Sequence, residues 1–123
     1  MASEGLTLRP AVPADLPMLE IWARAAAAGD GPPFIAVTFS TFEKEPGRGS
    51  LLIVEDAGTE AGYVVLSRLW SNRLRGEVAI IDDMHAEGID QHLIEFEVRR
   101  FASEHGLSVV LGRDETGHLV ESA

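Results

Sequence analysis

The sequence has no cysteine. That excludes disulfides, thiolate metal sites and cysteine nucleophiles, and it fits a reducing compartment. It has one lysine, Lys44, outside any glycine-rich loop, which excludes a Walker-type phosphate loop. There is no Gly-x-Ser-x-Gly string for a serine nucleophile. No apolar run approaches the ~20 residues needed to span a bilayer. Residues 1–9 lack the basic stretch and apolar run of a secretory leader, so a cytoplasmic location is expected. Positive charge is scarce: ten Lys and Arg face twenty Asp and Glu, a formal net charge of −10. Neither nucleic acid nor an anionic membrane is expected as a partner, because both need a cationic face. The acidity is spread evenly, with four basic and nine acidic residues in 1–61 and six and eleven in 62–123. That is a solvated acidic surface rather than an acidic arm.

What is present is an ordinary globular composition, 46% hydrophobic and 24% charged, over 123 residues. One domain is expected, with a core at 5–111 and a tail at 112–123. A domain of this size buries roughly two-thirds of its unfolded surface. Leu6 and Leu8 alternate with Thr7 and Arg9, which predicts a strand. Leu16, Leu19, Trp22, Ala23 and Ala26 recur at helical spacing, with Asp15 as cap and Gly29, Asp30 and Gly31 as terminators. A loop opened by Pro32 and Pro33 leads to a short helix over 38–45, capped by Thr38, with Phe39 and Phe42 inward. Three strands are predicted at 51–55, 61–70 and 77–85, an antiparallel meander. Asp90 caps a helix over 91–105, Gly106 ends it, and 107–111 is a last apolar strand. The tail shows little periodicity. Adjacent strands plus one strand–helix–strand unit predict a mixed sheet with helices on both faces, an α+β fold.

The densest polar cluster runs from Asp82 to His92, at the carboxyl end of a strand and the start of a helix. Ligands favour that position in sheets with helical crossovers. Strand alternation puts Asp82 and Asp83 on opposite faces, so they are not a dyad, but either one, if buried, is a candidate base. Asp83, His85, Glu87 and His92 are possible metal ligands, but their spacing is irregular and no His-x-x-x-His pattern occurs, so no metal is expected. The four histidines, 85, 92, 105 and 118, read as surface or loop hydrogen-bonders. Arg68, Arg73 and Arg75 form the only local excess of positive charge, with Trp70 beside them.

Several strings, in order, resemble the GNAT superfamily of N-acetyltransferases. Leu6-Thr7-Leu8-Arg9-Pro10-Ala11 followed by Ala14-Asp15-Leu16-Pro17 resembles its first strand and helix start. Leu51 to Asp56 and Ala61 to Ser67 resemble its second and third strands. Asp83-Met84-His85-Ala86 resembles the end of its fourth strand, and Leu93 to Gly106 its third helix. The resemblance covers roughly 5–111. It implies a GNAT-like mixed, mainly antiparallel sheet of about five strands that grips acetyl-CoA and passes its acetyl group to a small or peptide amine. It puts Asp83, next to Asp82, near the position of a base, the backbone of Met84 and Ala86 against the acyl arm, and Gly88, Ile89 and Asp90 at the pyrophosphate loop.

The chain departs from the family pattern at three places. Glu87 precedes Gly88, with no Arg or Gln three residues before that glycine, and Asp90 replaces a second small residue. The only tyrosine, Tyr63, lies in the third strand, away from the family's proton donor. The closing helix and strands are missing, which leaves strand 107–111 as an open apolar edge for a homodimer. These departures carry the alternative expectation, a GNAT-fold chain without catalysis that serves as a dimeric interaction or regulatory module.

Overall fold

The computed structural model describes residues 5–26, 34–113, 115–116 and 119–121. The terminators at Gly29, Asp30 and Gly31, the Pro32–Pro33 loop and His118 lie outside them. The described strands are β1 Leu6–Pro10, β2 Gly49–Asp56, β3 Thr59–Ser71, β4 Gly76–Ala86, β5 Val110–Arg113 and β6 Leu119–Glu121. The helices are α1 Leu16–Ala26, α2 Ile35–Lys44 and α3 Gln91–Glu104. One six-stranded sheet runs in chain order, β1 through β6. Every neighbouring pair is antiparallel except β4 and β5, which are parallel and joined through α3.

The apolar run in β2 reflects helices on both faces of the sheet. Leu52 and Val54 join Val64, Leu66 and Ala79 in a core covered by Ile94, Val98 and Ala102 of α3. Leu51 and Ile53 join Tyr63 and Val65 in a second core covered by Leu19 and Trp22 of α1 and Ile35 of α2. Phe39 and Phe42 pack against this second core, as their spacing predicts.

Three local expectations change. The Asp15 carboxylate does not cap α1. It turns back to accept from the Val12 amide at 2.8 Å and from Arg9 at 2.9 and 3.0 Å, closing a 3-10 turn over Pro13–Asp15. α2 begins at Ile35 rather than Thr38, because Ile35 is buried against Leu19 and Trp22 and draws the first turn into the core. The tail is not featureless: β6 pairs with β5 through Leu111↔Glu121, Gly112↔Val120 and Arg113↔Leu119. The last strand of the sheet is therefore β6, and the strand expected at 107–111 does not present an open edge at Leu111. A three-residue strand is too short to leave a period-two signal.

Candidate active site

β4 leaves its partners in two steps. Against β3, Val65 pairs with Asp83 and Leu66 with Ile81, so Asp82 is an extra residue in a β-bulge. Asp82 and Asp83 therefore do not simply alternate, as regular strand geometry predicts. Asp82 is the exposed bulge residue, and Asp83 faces the α1/α2 side, where it meets Tyr63. Against β5, β4 keeps only two register pairs, Ala79↔Val110 and Ile80↔Leu111. From residue 81 to 86, the β5 side of β4 has no ladder partner among the described residues. The sheet splays there, and β4 presents an open backbone edge.

On the α1/α2 face, Tyr63 lies opposite His85 in the β3–β4 register. The Tyr63 hydroxyl donates to Asp83 Oδ2 at 3.1 Å, and the Met84 amide donates to Asp83 Oδ1 at 2.9 Å. Burial, then the Asp83 charge, push the Tyr63 phenol well above its usual value and keep it a donor. The rings of Trp22, Tyr63 and His85 pack together, with centroids 6.2–6.5 Å apart. His85 Nε2 is the one buried side-chain polar atom without a hydrogen-bond partner among the described residues. It lies 3.9 Å from Glu87 Oε2. An orphaned buried nitrogen calls for a functional or solvent explanation.

On the opposite face, Met84, Ala86 and Ile89 pack partly buried against the α3 core. Gly88 has φ +73°, a left-handed turn that glycine takes without strain. Asp90 is extended and caps α3, accepting from the His92 amide at 2.8 Å. Thus Asp83 lies on the α1/α2 face of the open stretch of β4, Met84 and Ala86 on its α3 face, and Gly88, Ile89 and Asp90 follow in the turn into α3. Asp83, His85, Glu87 and His92 do not converge: among the described residues no group of three or more His, Asp or Glu is placed to hold a metal ion. His92 lies on α3, 3.8 Å from Glu95.

The acetyl-CoA that the GNAT resemblance implies meets this geometry differently at its two ends. An extended arm bearing amides matches the part of the β4 edge beyond the β5 ladder, where the Met84 amide alone is taken, by Asp83. A pyrophosphate does not match the start of α3, where Asp90 holds a carboxylate on an amide that a phosphate would need. Tyr63, read from the sequence as lying away from a proton donor, and His85, read as a metal candidate or a surface or loop hydrogen-bonder, are the residues whose place at this edge the sequence did not indicate. A cross-strand pairing between a tyrosine and the strand after the hairpin was the available signal.

No protein-family model and no curated protein matches the chain. Solved structures do match. An integron cassette protein from the mobile metagenome of Cole Harbour Salt Marsh is similar at a TM-score of 0.70 and 18% identity, with 100% of this chain and 91% of that chain covered. An aminoglycoside acetyltransferase from an uncultured soil metagenomic sample is similar at 0.64 and 16% identity, with 94% and 82% covered. A predicted acetyltransferase with acetyl-CoA from Clostridium acetobutylicum is similar at 0.62 and 12% identity, with 92% and 84% covered. No helix among the described residues is long and apolar enough to cross a membrane.

Proposed function

We propose that this chain, whose fold is that of the GNAT N-acetyltransferases, transfers an acetyl group from acetyl-CoA to a small or peptide amine in the cytoplasm. The observation that carries this reading is the splayed edge of β4, open from residue 81 to 86 and bordered on its α1/α2 side by the Tyr63–Asp83 pair. Acetyl-CoA supplies an activated thioester. The Met84 carbonyl and the backbone of Ala86 hold the arm that carries it, the Met84 amide being taken by Asp83. Asp83, with its oxygens fixed by Tyr63 and the Met84 amide, attracts the ammonium form of the acceptor. His85 Nε2, without a hydrogen-bond partner among the described residues, takes the amine's proton as the nitrogen attacks the thioester carbonyl; the C–S bond breaks and CoA leaves as a thiolate that takes a proton from water. Asp82 contributes the bulge that opens the edge rather than a second base.

The test is calorimetric titration of the full chain with acetyl-CoA. Saturable heat supports the reading, and no heat at millimolar ligand overturns it. A second reading, a non-catalytic GNAT-fold module, has its own observation: Asp90 sits on the His92 amide at the phosphate position. Release of free thiol from acetyl-CoA across a panel of diamines and lysine peptides separates the two. Turnover removes the second reading, and binding without turnover removes the first.

A further inference from the structure

β1 is the edge of the sheet farther from β4. The Gly5 carbonyl accepts from the Ala57 amide, and the Ala11 amide donates to the Leu51 carbonyl. Antiparallel alternation in that register turns the backbone of Thr7 and Arg9 towards β2. Leu6 and Leu8 turn their amides and carbonyls outward, where they have no partner among the described residues. Pro10, with no N–H to offer, ends the open stretch. α3 packs on the Leu6 and Leu8 side of this strand, and the two elements enclose a groove of about 210 Å³.

The groove holds a buried carboxylate with little to pair it. The Glu97 side chain is 9% exposed, and its one ionic contact is Arg100, 3.5 Å away and itself 60% exposed. A carboxylate is rarely buried this far unless it is well paired. Phe101 lines the groove beside it, its ring held by stacking on His105 with centroids 4.0 Å apart. Glu104 lines the groove as well, so two carboxylates face one guanidinium. A buried carboxylate next to an aromatic ring recognises a guanidinium twice over, through charge-assisted hydrogen bonds and through stacking.

We propose that the β1–α3 groove binds an extended, arginine-bearing segment of another protein, which adds to β1 as an antiparallel strand. In such a pair the residues opposite Leu6 and Leu8 exchange both backbone hydrogen bonds with them. Their side chains turn to the same face as Leu6 and Leu8, which is the α3 side. An arginine at either place enters the groove and donates to Glu97. The net charge of −10 draws a cationic segment towards this edge. A second copy of this chain fits less well, because its β1 brings leucines to the face that holds Glu97 and the two chains repel. The proposal does not rest on acetyl transfer. β1 stands three strands from β4, about 14 Å, so a strand on this edge leaves the splayed edge open.

The probe is a heptapeptide of alternating threonine and arginine, acetylated and amidated at its ends, so it has no amine to accept an acetyl group. Calorimetry and amide hydrogen exchange of the full chain, with and without the probe, test the proposal. The expected result is saturable binding, with the amides of Leu6 and Leu8 exchanging at least about tenfold more slowly. N-methylation of the probe's arginines, whose N–H groups pair with the edge, should weaken binding by more than about tenfold. N-methylation of its threonines, whose N–H groups point away, should change it by less than about threefold. Glu97→Gln should weaken binding by about tenfold, with circular dichroism and thermal melts verifying its fold. The methylated probes test the wild-type chain whatever that variant does. No heat at millimolar probe overturns the proposal, as does equal loss from both methylated probes or binding indifferent to a folded Glu97→Gln. Protection at residues 81–86 instead of Leu6 and Leu8 overturns it in favour of the splayed edge. Protection of Leu6 and Leu8 that rises with protein concentration in the absence of probe overturns it in favour of a second copy.

Discussion

Asp15→Asn tests the physics of the first strand and helix. Asp15 is 7% exposed, its two oxygens accept from Arg9 at 2.9 and 3.0 Å, and Oδ2 also accepts from the Val12 amide. Arg9 in turn donates to Glu55 at 2.9 Å and lies 3.5 Å from Glu60, so one guanidinium ties β1, the 3-10 turn, β2 and β3 together. Removing one partner of a buried pair costs about 3–5 kcal/mol. Arg9 is 31% exposed and keeps Glu55, so water and the remaining carboxylates reduce the loss to about 2 kcal/mol. For a domain of this size that lowers the melting temperature by roughly 6–12 °C. The pH dependence is the sharper part. The Arg9 hydrogen bonds hold the Asp15 carboxyl below its ordinary value, with burial opposing. A carboxyl depressed in the folded state stabilises above its unfolded pKa of about 4, and that contribution is lost as pH falls through the lower folded value. Wild type and variant should therefore differ fully at neutral pH and converge in strong acid. Urea unfolding followed by tryptophan fluorescence across that range is the assay. A difference under about 0.5 kcal/mol at neutral pH, or one that persists unchanged into strong acid, would refute the reasoning.

The Tyr63 phenol gives the opposite dependence: its pKa is raised on folding, so its contribution is present below about pH 10 and is lost as pH rises towards the folded value. Alkaline urea midpoints should fall for wild type and stay flatter for Tyr63→Phe, with parallel curves counting against the assignment. Gly62→Ala should abolish soluble expression or cost more than about 3 kcal/mol, because a Cβ there meets the His85 carbonyl and the Ala86 backbone. A stable, soluble variant would show that the β3–β4 ladder shifts freely. Asp90→Gly should lower stability by a few tenths of a kcal/mol through the weaker cap while tightening acetyl-CoA binding measured by calorimetry. Unchanged or weaker binding would remove the carboxylate as the obstacle.

The parts of the fold legible in sequence are those whose signals are local. α3 combines Ile94, Val98 and Ala102 at helical spacing with Asp90 as its cap, and both appear in the structure. The meander follows from β-branched runs separated by turn residues. The site was half legible. Position at a strand end singled out Asp82 through His92, but the bulge at Asp82 is a mismatch between two strands and leaves no mark on either one alone. Tyr63 reads as an ordinary core residue until register sets it across from His85 and within a hydrogen bond of Asp83. The Arg9 hub is illegible for the same reason, since its partners stand 6 and 46 residues away in the chain. β6 fails on length alone.

The two register pairs that join β4 to β5 have a consequence for how the molecule breathes. The four neighbouring strands β1 to β4 are tied by antiparallel ladders and connect through tight turns or, between β1 and β2, through α1 and α2. The β5–β6 pair joins them through two register pairs, at Ala79 and Ile80, with Ser108 and Val109 bonding Glu77 and Ala79 just before β5 and Val110 in the α3 core. With so short a ladder, the amides of β6 and the end of β5 should exchange with solvent through sub-global opening while those of Leu52, Val64 and Val98 wait for complete unfolding. The seam that opens first is the one beside the splayed edge, so a ligand bound in that cleft would slow exchange in β5 and β6 without touching the slowest amides of the sheet.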